Sequence, residues 1–385
     1  MRAAFVHSDA VNAYSYGSGH PFVAARSGKT LEMCRDRDLM GPPVEVLVPS
    51  PAKREEVARF HEEDYLDLLQ TAEAGNVSPK WLEYGLGRDE CPVFPGLWDY
   101  SLLVAGGSLE AARRVASGDY SRAFHPAGGL HHAHPKMAGG FCYVNDVVLA
   151  VMELRRQGLR VAVVDIDAHH GDGTQDAFYE DPNVLTISLH ESGETLFPWG
   201  GRAGERGAGP GEGYNLNVPF PVDTFDGIFL RSMREVVVPA VKQFAPDILV
   251  TEVGADTLSV DPLTHLAMTN NAIVDSLELL DRLELPWVVV GGGGYAVEPT
   301  VKAWTLTWSV VARKPLEDSY AGLIGGMMTG LSDVKEGDLR DRVRYVPPET
   351  KEKVLDEVEP VLEEAKERLA QEVFSPSSNA NHAPH

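Results

Sequence analysis

Four short runs of this chain are almost continuously hydrophobic and rich in Val and Ile. They are Val161–Asp167 (VAVVDID), Val184–His190 (VLTISLH), Ile248–Val253 (ILVTEV) and Trp287–Val290 (WVVV). Each gives way to glycine or polar residues. Runs of this kind read as strands covered on both faces, which is the mark of a parallel sheet. Between them, apolar residues recur at helical spacing. One helix opens at Ser50-Pro51, with Ser as N-cap and Pro at the first helical position, and continues to about Ala74. Others fall near 101–117, 145–157, 224–243, 267–283 and 297–312. Strands alternating with helices predict a doubly wound α/β domain.

Two segments break this rhythm. Residues 191–215 form a long glycine-rich stretch (ESGETLFPWGGRAGERGAGPGEGYN). A connection of that length inside a compact domain is usually functional or disordered. Residues 374–385 (FSPSSNANHAPH) have low complexity and read as a flexible tail, with His382 and His385 in solvent. Pro348–Val373 carries a charged helical pattern that would close the domain, so residues 1–373 are expected to form one unit. With 385 residues, 43% of them hydrophobic, the chain can bury a large core.

The net charge of −23 disfavours nucleic acid and anionic membranes, whose phosphates would be repelled. Cationic substrates such as lysine-rich peptides are compatible with it, although such a charge also serves solubility alone. Cys34, Cys91 and Cys142 are the only cysteines and form no CxxC pair, which argues against a disulfide framework or a cysteine zinc site. MRAAFVHSDA contains no apolar signal core, and no stretch approaches the roughly 20 apolar residues of a spanning helix. A soluble cytoplasmic protein is expected.

The strongest chemical signal is Asp165-Ile-Asp167-Ala-His169-His170-Gly-Asp172-Gly, directly after a strand run. Alternate residues share a face, so Asp165 and Asp167 point the same way and His169 continues the spacing. Open α/β sheets bind ligands at this end of their strands. A carboxylate and an imidazole two residues apart can grip one divalent ion. Asp and Gly are also ordinary turn residues, but two unneutralised acids on a buried strand would be costly. A second cluster, Gly128-Gly-Leu-His131-His132-Ala-His134, precedes Gly139-Gly-Phe-Cys-Tyr143. Adjacent imidazoles suit acid–base work, though alone the pair fits a surface or a core equally well. His134 is expected on the far side, in a structural role. A third segment, Val253-Gly-Ala-Asp256-Thr-Leu-Ser-Val-Asp261-Pro262, places another acid after a strand. Alone, Asp256 could be a cap. The fourth, Gly291-Gly-Gly-Gly-Tyr295, lets backbone approach a ligand, or is a flexible loop with a packed aromatic. All four lie near strand ends. Together they supply three oxygen or nitrogen ligands, a histidine pair and a phenol, the inventory of metal-assisted amide hydrolysis.

The segments HHAHPKMAGGFCYVND, VDIDAHHGDGTQDAFY, VGADTLSVDP and GGGGY resemble the histone deacetylase superfamily, in order and spacing, across about residues 1–315. YGLGRDECPVFPG at 84–96 is most similar to bacterial acetoin-utilization-type deacetylases. The resemblance implies the arginase/deacetylase fold, with a central parallel sheet of about eight strands flanked by helices. It implies zinc ligands Asp167, His169 and Asp256, with Fe(II) a competitor because two carboxylates and one imidazole form a hard site. His132 would be general base and acid, held by Asp172, and His131 would pair with Asp165 as an electrostatic partner. Tyr295 would polarise the acetyl carbonyl. Phe141 and Phe197 would flank a narrow tunnel for the lysine stem, with Gly140 along its wall and Leu263 at the rim. Glu90, or its neighbour Asp89, would meet the substrate backbone. The family's monovalent cations, K+ or Na+, would sit near Asp165, Asp167, His169, Ser188 and Leu189, and near Phe178, Asp181, Val184 and Tyr214. The implied activity is removal of acetyl groups from acetyl-lysine in a protein or peptide, acetyl-CoA synthetase being one such partner.

Three rivals fit less well. A two-manganese ureohydrolase needs further acids, where this chain has Gly171 and Gly254. A non-catalytic binder of acetyl-lysine would have no need of the histidine pair, its acid partners and Tyr295 together. An acetylpolyamine deacetylase can carry an acidic gate at the rim, where this chain has Leu263.

Overall fold

The computed structural model describes residues 2–72, 78–316 and 339–371. The expected tail at 374–385, and the expected helix ends at Ala74 and Val373, lie outside the described residues. The core is one sheet of eight parallel strands. They are β1 (Ala3–Val6), β2 (Val44–Leu47), β3 (Arg122–His125), β4 (Val161–Asp165), β5 (Val184–Glu191), β6 (Asn215–Phe220), β7 (Ile248–Glu252) and β8 (Trp287–Val290). Their order across the sheet is β2-β1-β3-β8-β7-β4-β5-β6. The architecture expected from the motifs is therefore the one observed.

The four Val- and Ile-rich runs became β4, β5, β7 and β8, all central strands. β1, β3 and β8 have every residue buried, as do β4, β5 and β7. Helices cover both faces. On one, Phe5, Phe124, Leu185 and Leu216 pack with residues of the helices Arg26–Asp36, Val297–Val311 and Pro348–Ala370. On the other, Val161, Val163 and Val288 meet the helices Leu97–Ala116 and Asp146–Arg156. No helix among the described residues is long and apolar enough to cross a membrane.

Two expectations need correction. The helix drawn from Ser50-Pro51 is two helices, Arg54–Val57 and Glu63–Ala72. Pro51 is not in the first turn; Lys53 is the N-cap, and its backbone N–H donates to Glu56 at 2.7 Å. The break at 58–62 serves the neighbouring loop. Glu62 N–H donates to the Pro135 carbonyl at 2.8 Å, and His61 Nε2 accepts from Asn145 N–H at 3.0 Å. The second correction is the end of β4. Ladder pairing stops at Asp165, so Asp167 and His169 stand in the following loop. The alternation continues nevertheless: Ile166 and Ala168 join the hydrophobic core.

Register decides which side chains meet. Asp165 pairs with Ser188 of β5 on one side and Glu252 of β7 on the other. On the β1–β3 side of the sheet, aromatic rings pack against one another. Phe124 is fully buried, with its ring 5.6 Å from Phe5 and 6.5 Å from Trp308. Phe124→Ala should lower unfolding free energy by about 3–5 kcal/mol, read from the denaturant midpoint; a loss below about 1 kcal/mol would show that this packing is dispensable.

Candidate metal centre

The carboxyl ends of four adjacent strands, β3, β8, β7 and β4, carry the four motifs. The loop after β3 presents His131 and His132, that after β4 Asp167 and His169, that after β7 Asp256, and that after β8 Gly291–Tyr295. Asp167, His169 and Asp256 are buried, and one ligand atom from each lies within 4.8 Å of the others. His169 Nδ1 is 3.1 Å from Asp167 Oδ1 and 2.9 Å from Asp256 Oδ2.

One Nδ1–H can serve only one of those two acids. Asp167 is 1% and Asp256 0% exposed, so water cannot neutralise the other. Their electrostatics record the conflict. Burial, with the Asp167 charge acting in the same direction, pushes the Asp256 carboxyl up to about 7. Burial opposes ionisation of Asp167 too, but hydrogen bonding to His169 and the His131 charge hold it well below the usual carboxylate range. Burial disfavours protonated His169, yet the pull of the two adjacent acids, Asp167 and Asp256, raises it to about 10. A divalent cation in place of the shared proton would neutralise both acids, so the donor set fits a metal. Backbone fixes the acids: Gly293 N–H donates to Asp167 Oδ2 at 2.5 Å and Ala168 N–H to Asp256 Oδ1 at 3.0 Å. A Cβ at residue 293 would collide with Asp256 and lie 2.9 Å from Asp167 Oδ2, hence the glycine.

Beside these donors stand His131 and His132, 3% and 4% exposed, with their Nε2 atoms 3.0 Å apart. His132 Nδ1 lies 2.7 Å from Asp172, and His131 Nδ1 lies 2.8 Å from Asp165. Burial and the His131 charge push His132 down to about 4. His131 moves the other way: burial opposes its charge, but Glu252 and Asp165 raise it well above the ordinary value. His134 is 3.3 Å from the far oxygen of Asp172, supporting it from outside. His170 turns away from the metal donors and meets Gln175 at 2.9 Å.

The sequence reading passed over several residues that build this site. Glu252 is fully buried, with Oε1 2.9 Å from His131 Nδ1 but aligned with no hydrogen-bond donor. With His131 and Asp167 it makes a second set of three potential ligands. That set is poorer than the first, because His131 Nδ1 already serves Asp165. Asn145 and Asp146 hold the histidine loop: Asn145 Nδ2 donates to the His131 carbonyl at 2.9 Å, and Asp146 Oδ1 accepts from Leu130 N–H at 2.8 Å. Asp261 accepts from Tyr295 N–H at 2.7 Å and from Leu263 N–H at 2.9 Å. Arg26 donates to the carbonyls of Gly292 and Gly294 at 2.5 and 2.6 Å. Glu252, Asn145, Asp146 and Asp261 stood next to or inside a motif, but nothing in the local pattern named their partners; Arg26 is remote in sequence from every motif.

A narrow cavity reaches the donors, lined by Phe22, His131, His132, Gly140, Phe141, Asp167, Gly293 and Tyr295, among others. The Phe141 ring lies 5.4 Å from Tyr295, and the Phe197 ring lies 5.0 Å from His132. Gly140 has φ +51, and a Cβ there would strike the His132 ring and lie 2.9 Å from Phe197. Burial, then the charges of Asp256 and Asp167, push the Tyr295 phenol well above its usual value, so it remains a donor. Leu263 is half-buried, as is Glu90, while Asp89 is exposed. Of the residues expected along the tunnel, Phe141 and Gly140 line the cavity; Phe197 stands behind His132 and Gly140 without lining it, and Leu263, Glu90 and Asp89 do not line it either. Of the residues expected around monovalent ions, Ser188 neighbours Asp165 in register, and its hydroxyl is 2.8 Å from His190 Nδ1. In the more distant set, the carbonyls of Phe178, Asp181 and Tyr214 accept the backbone N–H groups of Asp181, Val184 and Thr186.

Known proteins share this architecture. The histone deacetylase domain model matches residues 20–311. The acetoin utilization protein AcuC of Bacillus subtilis is 36% identical over 312 residues, covering 79% of this chain and 80% of that protein. Histone deacetylase B of Dictyostelium discoideum is 36% identical over 312 residues, covering 80% of this chain and 73% of its own. Among solved structures, an HDAC homologue complexed with SAHA superposes with a TM-score of 0.82 at 32% identity, covering 95% of this chain and 99% of that one. An HDAC homologue from Aquifex aeolicus gives 0.82 at 30% identity, with 95% and 100% coverage.

If a divalent ion neutralises the buried acids, its removal should destabilise the fold. Dialysis against a chelator should lower the melting temperature, and added zinc should restore it by an amount that grows with free zinc, about 2.7 kcal/mol at a hundred times Kd. Asp256→Ala should abolish that zinc dependence. An identical response in wild type and Asp256→Ala would place the ion elsewhere.

Proposed function

We propose that this chain, which belongs to the histone deacetylase family, is a zinc-dependent hydrolase of acetylated lysine side chains. The observation that carries the proposal is the convergence of Asp167, His169 and Asp256 beside a buried histidine pair, at the base of a cavity walled by Phe141 and Tyr295. Asp167, His169 and Asp256 would hold the metal. When bound, it would polarise the acetyl carbonyl and make water more acidic.

The protein's own groups divide the remaining work. His132, kept neutral by burial, takes the proton of the attacking water. Asp172 on its Nδ1 fixes which nitrogen is free and in which direction it points. His131, carrying charge between Asp165 and Glu252, stabilises negative charge as it develops nearby. Tyr295 donates its phenolic proton in a hydrogen bond to the carbonyl oxygen as that oxygen becomes anionic. The histidine pair returns a proton to the departing amine, and the C–N bond breaks to give acetate and lysine. K+ or Na+ beside Asp165 and Ser188, and near Phe178 and Tyr214, would be structural.

The cavity favours a slim, unbranched chain, which suits the lysine stem with an acetyl cap. The half-buried Leu263, where an acetylpolyamine deacetylase can carry an acidic gate, favours a peptide over an acetylpolyamine. Glu90 would contact the peptide backbone. Acetyl-CoA synthetase is one candidate protein substrate. The test is hydrolysis of acetyl-lysine peptides and acetylpolyamines by protein loaded with zinc or ferrous iron. Peptide turnover should dominate; preferential turnover of polyamines would reverse the substrate assignment.

Two variants separate the roles. Tyr295→Phe should lower kcat by about 10²–10³ with metal content unchanged, because the phenol acts on the oxyanion. Near-native kcat at full metal occupancy would remove Tyr295 from the mechanism. Asp172→Asn should cost about 10–100-fold in kcat while the metal stays bound, measured by steady-state kinetics with metal analysis; loss of metal instead would assign Asp172 to the ligand set's support.

A further inference from the structure

Glu191 ends β5, and its side chain is fully buried. Its carboxylate accepts three hydrogen bonds: Oε2 from the His265 backbone N–H at 2.8 Å, and Oε1 from His265 Nδ1–H at 2.8 Å and the Thr195 hydroxyl at 2.9 Å. Thr195 lies two residues before Phe197, and His265 two residues after Leu263. A single buried carboxylate thus joins the loop that carries Phe197 to the loop that carries Leu263. The anchor extends inward. Glu191 N–H donates to the Ala168 carbonyl at 2.8 Å, between Asp167 and His169. The His265 side chain is 60% exposed, so burial does not hold its ring there; the carboxylate does. Hydrogen bonds to a buried charged acceptor are among the stronger ones in a protein. Nothing in the hydrolytic steps above employs Glu191.

We propose that Glu191 is a positioning residue for the substrate tunnel: its clamp on Thr195 and His265 fixes Phe197 and Leu263 relative to the metal donors and so sets the acyl width that the site accepts. This rests on the acyl-lysine reading given above. Loosening the clamp should let the Phe197 wall move away from Gly140 and His132. Small acyl groups would then lose contact, and wider ones would gain room.

The test compares acetyl-lysine and butyryl-lysine peptides on the zinc-loaded protein. Glu191→Ala should raise KM for the acetyl peptide about ten-fold, the effect of losing buried charge-assisted bonds, and change kcat less than about three-fold. It should also raise the butyryl-to-acetyl ratio of kcat/KM. Glu191→Gln keeps an oxygen for the His265 backbone and should restore most of the selectivity. His265→Ala removes one of the three hydrogen bonds, with a ring that is 60% exposed, and should shift KM and selectivity in the same direction by less, which decides the matter if Glu191→Ala does not fold. A general structural defect would lower kcat through the active fraction and leave KM and the ratio alone. Amide hydrogen exchange at 192–201 and 261–268 gives a readout without catalysis and should quicken in Glu191→Ala. A wild type that cleaves no acylated amine, together with faster exchange in the variant, would overturn the acyl-lysine reading and leave the clamp standing. An active wild type, with unchanged KM, selectivity and exchange in the variants, would overturn the clamp.

Discussion

Asp165, Asp167, Glu252 and Asp256 are each at most 4% exposed, and all four stand at or just beyond the ends of two hydrogen-bonded strands, β4 and β7. Burying an unpaired carboxylate costs several kcal/mol even after relaxation. Four together require compensation, and most local features of the site can be read as supplying it. Backbone N–H groups of Asp167, Ala168, His169 and Gly293 point at acid oxygens. Two histidines share the remaining negative charge, one per pair of acids. A metal ion held by Asp167, His169 and Asp256 would complete the balance there. Glycine at 293 then follows from space, since the backbone must come close enough to donate.

The same burial separates the chemistry of two adjacent imidazoles. His131 lies between Asp165 and Glu252, which favour its charge. His132 lies against Phe197, with one acid, and burial together with the charge on His131 keeps it neutral. Neighbours in sequence thereby become a fixed charge and a free base. The surrounding loops hold this arrangement in place: Asn145 and Asp146 grip the histidine loop, Asp261 grips Tyr295, and Glu191 joins the loop of Thr195 to that of His265.

Much of this was legible in the sequence. The central strands β4, β5, β7 and β8 announced themselves because strands covered on both faces must be nearly all apolar. Asp167, His169 and Asp256 were visible because acids directly after such strands have no bland structural use that repeats. What stayed hidden was of two kinds. β1 (AAFV) and β3 (RAFH) hold little Val or Ile, β2 (VEVL) alternates with a charge, and β6 begins NLN, with Asn215 and Asn217 buried against Gln175. β1, β3 and β6 owe their burial to neighbours rather than to their own pattern, and β2 at the sheet edge is largely uncovered. The break between Arg54–Val57 and Glu63–Ala72 likewise serves Pro135 and Asn145, which are remote in sequence. The second kind is the buried polar partner. Glu252 reads as the polar end of an apolar run, and only the register with Asp165 places it against His131. Glu191 and His265 are 74 residues apart, and no local signal joins them.

The central claim is that one divalent ion neutralises the acids at Asp167 and Asp256 and that the neighbouring Glu252 holds His131 rather than a second ion. Anomalous diffraction at the zinc edge, on crystals grown with zinc, tests both halves at once. The account predicts a single strong peak within coordinating distance of Asp167, His169 and Asp256, with none between His131 and Glu252. Two comparable peaks sharing Asp167, or a peak only beside Glu252, would contradict it.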